Sequence, residues 1–294
     1  MANADLFLFC FGLGYSATAL ARRLRGEGWD VAGTSRPGRS APGGDAIPLF
    51  PFARDRPLDG PGAAALARAS HILISIPPDA VGDPVLDGCA EAIALTSRAV
   101  WIGYLSTTGV YGDTGGAPVD EASPLAPTSA RSRWRAAAER AWLAFGGERN
   151  IAVQVFRLAG IYGPGRSPLD RLRAGQAQRI DRPGHRFGRI HVDDIATVLR
   201  ASIARPRAGG VYNVADDEPA EPEKVIACAA ALLGLPPPPL VPFAEAAKSM
   251  SPMALSFWQD NRLVVSRCIR DELGVQLAYP TYREGLQAIL AAAG

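Results

Sequence analysis

Six residues, Gly-Leu-Gly-Tyr-Ser-Ala from Gly12 to Ala17, join the apolar run Leu6 to Cys10 to a stretch in which Ala17, Leu20, Ala21 and Leu24 recur at helical spacing. A strand, a glycine turn and a helix in that order constrain the chain strongly. Gly12 permits the tight turn, Gly14 lets a ligand approach the backbone, and Ala17 is small enough for the helix to lie against the strand. Gly26 and Gly28 stop the helix. Its first N–H groups have no intrahelical partner, and its dipole is positive there, so the corner suits an anion without any lysine. The expected ligand is the diphosphate of a nicotinamide dinucleotide, with Gly12, Gly14, Tyr15, Ser16 and Ala17 around it; the alternative is a glycine turn with no ligand.

Further short apolar runs follow at Val31 to Thr34, Ala46 to Phe50, His71 to Ile76, Val100 to Leu105 and Ile151 to Phe156, interleaved with helical stretches. That alternation predicts an α/β fold, a Rossmann-like doubly wound parallel sheet. Ser75, near the end of the fourth run, then joins the cofactor set. The second run ends in Thr34, Ser35 and Arg36, where an enzyme using NAD ordinarily has an acid for the ribose hydroxyls, and no acid occurs from Val31 to Gly44. Ser35, Arg36 and Arg39 instead suit a 2′-phosphate, which favours NADP over NAD.

The loop Gly112 to Pro127 should cross the mouth of the site, followed by a helix from Ser129 to Phe145. Regular alternation fails from Gly160 to Gly188, where glycine, proline and arginine crowd. The expected division is a dinucleotide-binding domain over 1–160, to which 191–214 returns, and a small C-terminal α/β substrate-covering domain formed by 161–190 and 215–294. Leu235 to Pro242 holds five prolines and reads as an extended connector.

With 48% hydrophobic and 20% charged residues and a net charge of +2, the 294-residue chain reads as globular and lacks the basic concentration that a nucleic-acid or membrane surface requires. No polar-flanked signal run or membrane span is evident, and the expectation is a cytoplasmic protein. Cys10, Cys89, Cys228 and Cys268 are too scattered for a zinc site or a disulfide framework and read as buried thiols. His191, Asp193 and Asp194 admit a metal reading, but their spacing favours Asp193 as a helix cap with His191 bracing a junction. No metal is expected.

Four segments, LSTTGVYG at Leu105 to Gly112, RLAGIYGPG at Arg157 to Gly165, RIHVDDIA at Arg189 to Ala196 and GVYNVADDEP at Gly210 to Pro219, together with the glycine turn, resemble the extended short-chain dehydrogenase/reductase family, the NAD-dependent epimerases and dehydratases. The resemblance spans nearly the whole chain and implies a sheet of about seven strands, a C-terminal substrate domain, and a Ser/Thr, Tyr, Lys catalytic set working with NAD(P). It also implies, by analogy, a homodimer through the helix Ser129 to Phe145. The turn departs slightly, since Gly12 and Gly14 enclose one residue where many extended members have two.

By that resemblance Thr107 is the catalytic hydroxyl, with Ser106 and Thr108 as competing choices for that role and as neighbouring substrate contacts. The family's Tyr-x-x-x-Lys, aligned on Glu139, falls on Arg131 and Arg135. No tyrosine lies between Tyr111 and Tyr162, and no lysine precedes Lys224, so no shift of register restores the pair. Arginine stays protonated and is a poor general acid or base, although Arg135 can still donate to the cofactor ribose. Tyr111, Tyr162 and His185 are the substitute proton donors, and Arg166 and Arg186 the ligand-gripping members of an arginine-rich stretch. Two readings follow: an atypical NADP-dependent oxidoreductase or epimerase-like enzyme on a small, anionic substrate, or a non-catalytic NADP(H)-binding sensor.

Overall fold

The computed structural model describes residues 6–38, 47–96 and 98–293. Arg39 lies outside them, as does the start of the run assigned to Ala46 to Phe50. Seven strands form one sheet: β1 (Phe7–Phe11), β2 (Asp30–Ser35), β3 (Leu49–Pro51), β4 (His71–Ile74), β5 (Trp101–Thr107), β6 (Ala152–Leu158) and β7 (Gly210–Val214). All neighbours are parallel and the order is β7-β6-β5-β4-β1-β2-β3. The order reverses between β1 and β4, and in such a sheet ligands bind outside the carboxyl ends of the strands at that point.

Because side chains alternate along a strand, β1 serves two cores at once. Leu8 and Cys10 pack with Ala17, Leu20, Ala21 and Leu24 of α1 (Tyr15–Gly26), whereas Phe7, Phe9 and Phe11 pack on the other face. That second face is covered by α2 (Gly60–Ala67), α3 (Pro84–Ala94) and α4 (Ala130–Arg149). On the first face α1 lies beside α5 (Val192–Ala204). Ile269, Leu273 and Val275, from the last part of the chain, enter the same core. In β5, Gly103 makes room for the Trp101 ring, which a Cβ at that position would strike.

The α4 helix begins at Ser129, whose hydroxyl caps the Ser132 N–H, and ends at Asn150 in the left-handed region. α5 corrects one expectation: His191, not Asp193, is its cap, accepting from the Asp193 N–H at 3.2 Å. Buried Asp194 instead accepts from the N–H groups of Ala278 and Tyr279, fastening the C-terminal segment to this helix. Over the carboxyl ends of β5 and β6 lie the short helix Pro168–Arg173, the helices Pro222–Leu232 and Tyr282–Ala291, and a two-stranded parallel pair, Arg179–Asp181 with Leu240–Pro242. Among the described residues no helix is long and apolar enough to cross a membrane.

Candidate active site

Two parts of the site meet at the sheet's carboxyl edge. The first is the turn after β1. Thr34, fully buried at the end of β2, holds it from both sides: its hydroxyl accepts from the Gly12 N–H at 2.9 Å and its carbonyl from the Leu13 N–H at 2.8 Å. Gly12 sits at φ +86°, and a Cβ there would lie 2.9 Å from Ile76 Cγ1. Gly14 differs: its backbone is extended, it is exposed, and a Cβ on it would meet nothing within 4 Å. It heads α1 with no side chain capping the helix. The Gly14 N–H itself turns back to the Gly12 carbonyl at 2.8 Å, and no side chain covers the start of α1, where diphosphate binding requires room.

Ser16 and Ala17 are buried behind the turn, while Tyr15 leans out of it. The Tyr15 hydroxyl donates to the Pro164 carbonyl at 3.0 Å, and the Arg166 guanidinium lies 5.7 Å from the centre of its ring. Ser35 is half-buried and Arg36 exposed at the end of β2, and Ser75 is half-buried after β4 with its N–H on the Phe11 carbonyl. The turn, the two strand ends and these side chains stand at one corner.

The second part is a cavity of about 610 Å³ over the ends of β5 and β6. Thr107 and Thr108 line it, as do five arginines, Arg166, Arg171, Arg186, Arg189 and Arg262, and two aspartates, Asp170 and Asp260. The Thr107 oxygen accepts from the Gly109 N–H at 3.1 Å, a bond that leaves the hydroxyl's own proton free of that role. Ser106 turns away, its hydroxyl donating to Glu139. Arg189 is fixed by the Phe187 and Ala220 carbonyls, and burial works against its charge.

The substitute proton donors are not presented to this cavity. Tyr111 is 1% exposed, donates to Asn213 Oδ1 at 2.7 Å and accepts from Arg157 at 2.8 Å. Burial pushes its phenol up, against the lowering effect of Arg157. Tyr162 lines the cavity with its ring, but its hydroxyl points to the Thr281 carbonyl, 3.5 Å away, and burial with nearby Asp216 and Asp194 drives its pKa upward. His185 is buried between Phe187 and Trp258, and burial, helped by Arg182, lowers it to about 4, so it is neutral at neutral pH. Of the arginines at the missing pair, Arg131 is exposed at the head of α4, and Arg135 Nη1 donates to the Leu105 carbonyl at 2.8 Å and the Tyr104 hydroxyl at 3.2 Å.

Sequence reasoning missed three elements of the site. Thr34 was noted only as the end of a strand. A buried ion pair, Arg157 of β6 with Glu139 of α4 at 2.9 Å, ties Ser106 and Tyr111 into one network. Asp260 and Arg262, paired at 3.1 Å, reach the cavity from the C-terminal part of the chain, where no local motif signals them. Arg262 also donates to the Gly112 carbonyl, and the Thr128 hydroxyl donates to Asp260 at 2.7 Å.

Comparison with known proteins agrees with this architecture. The family model for the NAD dependent epimerase/dehydratase family matches residues 90–215. The chain is 48% identical to a conserved protein of unknown function from Silicibacter pomeroyi DSS, whose solved structure superposes with a TM-score of 0.86 over 98% of this chain and 99% of that one. It is 29% identical to Protein YeeZ of Escherichia coli (strain K12) over 283 residues, 92% of this chain and 94% of the relative. It also shares its fold, at 17% identity and a TM-score of 0.74, with a dTDP-glucose 4,6-dehydratase of Bacillus anthracis str. Ames in complex with NAD, covering 97% of this chain and 96% of that one. Residues 90–215 thus match an NAD-dependent epimerase/dehydratase domain, set in a seven-stranded parallel sheet that opens on the glycine turn, and they contain no Tyr-x-x-x-Lys pair.

Proposed function

We propose that the protein is an NADP-dependent oxidoreductase or epimerase-like enzyme acting on a small, anionic substrate. One observation carries this reading: an unobstructed helix N-terminus at Gly14 adjoins, through Tyr15 and Pro164, a cavity lined by five arginines and two aspartates. The residues fit the cofactor. The backbone of Gly14 to Ala17 would take the diphosphate, and Arg36, with Arg39 beyond the described residues, the 2′-phosphate. A bound nicotinamide would supply hydride chemistry. Thr107 would donate to the reacting oxygen of the substrate, and Arg166 and Arg186 would hold its anionic group.

The competing reading, a non-catalytic NADP(H) sensor, draws on the exposure of Arg131 and the attachment of Arg135 to Leu105 and Tyr104. The enzymatic reading is favoured because a sensor does not require a second, arginine-lined cavity with two threonine hydroxyls at its floor.

Fluorescence titrations of wild type and Arg36→Ala with NADPH and NADH test the cofactor. A lost charge-assisted pair corresponds to roughly 1.5–3 kcal/mol, so NADPH affinity should fall about tenfold or more while NADH affinity stays within about twofold. Equal affinities for the two nucleotides in wild type would reject the NADP preference. Following NADPH consumption with acetoacetate and levulinate, and NADP+ reduction with UDP-glucuronate, separates the enzyme from the sensor.

A further inference from the structure

We propose that Asp260 is the group that exchanges a proton with the substrate in this cavity, an inference that rests on the enzymatic reading above. Converting an alcohol to a carbonyl removes two hydrogens in different forms. As the C–H electron pair departs with its hydrogen to the oxidised nicotinamide, the O–H proton must pass to a base within hydrogen-bond reach of the same oxygen. In the reverse direction the carbonyl carbon gains the hydride and its oxygen takes that proton back.

Among the described residues lining the cavity, few side chains are suited to that task. The five arginines stay charged. Tyr162 and Tyr282 are phenols whose pKa burial raises, and the Tyr162 hydroxyl is directed at Thr281. The Asp170 carboxylate closes a capping box, its Oδ2 accepting from the Ser167 N–H at 2.8 Å and from the Ser167 hydroxyl at 2.6 Å. Asp260 is the carboxylate that remains.

Its setting is that of a held, working carboxylate. The residue is 8% exposed, Oδ1 accepts from Thr128 and Oδ2 from Arg262, and each oxygen keeps a further lone pair for a substrate hydroxyl. Arg262 is itself anchored on the Gly112 carbonyl, so the carboxylate is clamped between the turn that follows Thr107 and the entry to α4. Thr128 stands three residues before Arg131, so the acid arrives from the C-terminal segment beside the head of the helix that has arginines in place of the tyrosine and lysine.

The test compares wild type, Asp260→Asn, Asp260→Glu and Asp260→Ala in three measurements: melting temperature, NADPH affinity by nicotinamide fluorescence, and turnover, followed as NADPH oxidation with acetoacetate and levulinate and as NADP+ reduction with UDP-glucuronate. The amide should bind NADPH within about twofold of wild type yet lose roughly 10²- to 10⁴-fold in kcat. The glutamate, which keeps a carboxylate, should retain more than the amide by at least about tenfold, and sodium formate should restore part of the activity of Asp260→Ala. Turnover by Asp260→Asn within about threefold of wild type would overturn the role of Asp260 and leave the enzymatic reading standing. Tight NADPH binding by wild type with neither NADPH oxidation on the two keto acids nor NADP+ reduction on UDP-glucuronate would overturn both. If the amide variant does not fold, the comparison of Asp260→Glu with formate-treated Asp260→Ala decides the question.

Discussion

Gly12 and Gly14 look alike in sequence, and the structure separates them. Gly12 needs a positive φ and the absence of a Cβ against Ile76, so its requirement belongs to the fold. Gly14 needs neither, so its requirement belongs to the ligand. Gly12→Ala should destabilise the protein by about 1–3 kcal/mol, read from urea unfolding midpoints. Gly14→Val should unfold at nearly the wild-type midpoint but lose at least about tenfold in NADPH affinity, because its methyls would fill the space in front of α1. The pair was legible beforehand because a strand, a glycine turn and a helix occur within twenty residues. Asp260 was not: nothing local distinguishes it from any surface aspartate, and only the folded chain brings it to Thr128. Tyr111 was misleading for a related reason, since its partners Arg157 and Asn213 lie on other strands.

One of the buried polar links in the sheet ties a covering helix to it. Glu139 on α4 accepts three donor atoms, Arg157 Nε and Nη2 and the Ser106 hydroxyl, so helix α4 is fixed to β5 and β6 together. Removing one member leaves a buried charge unpaired, a change that costs about 3–5 kcal/mol, whereas replacing both by apolar side chains of similar size is often close to neutral. Glu139→Ala should therefore lower stability by about that amount, and Glu139→Leu with Arg157→Met should recover most of it in the same denaturant titration. Most strands were readable as apolar runs bounded by turns. Helices α2 and α3 were not, because each opens on glycine or proline; yet the signal was there in Asp59 and Asp83, aspartates that cap helices with proline in the first turn.

For the whole molecule, stability depends on pH through groups buried far apart. Burial lowers His71 to about 4, so below about 6.5 the unfolded chain takes up a proton that the folded one refuses, and stability is lost as pH falls through that range. Asp216 behaves in the opposite sense. Burial raises it to about 8 despite Arg189, so the unfolded chain ionises above 3.8 while the folded one holds its proton, and stability is lost as pH rises. Relative to wild type, His71→Leu should gain in melting temperature progressively as pH is lowered from 6.5 to 4. Asp216→Asn should gain progressively as pH is raised towards 8, and a difference independent of pH for either variant would contradict these assignments.

The short segment that carries Asp260 is also a seam. Asn261 accepts from the N–H groups of Thr114 and Gly116, Leu263 and Val265 continue the contact to Ala117 and Val119, and the Asn213 side chain donates to the Val265 carbonyl. The stitched pieces are distant in the chain, 113–119 and Asn213 on one side and 261–265 on the other, so the seam closes only in the whole fold. A chain cut before Asn261 would leave the loop 113–119 and the end of β7 without these partners, and the wall they share would come apart.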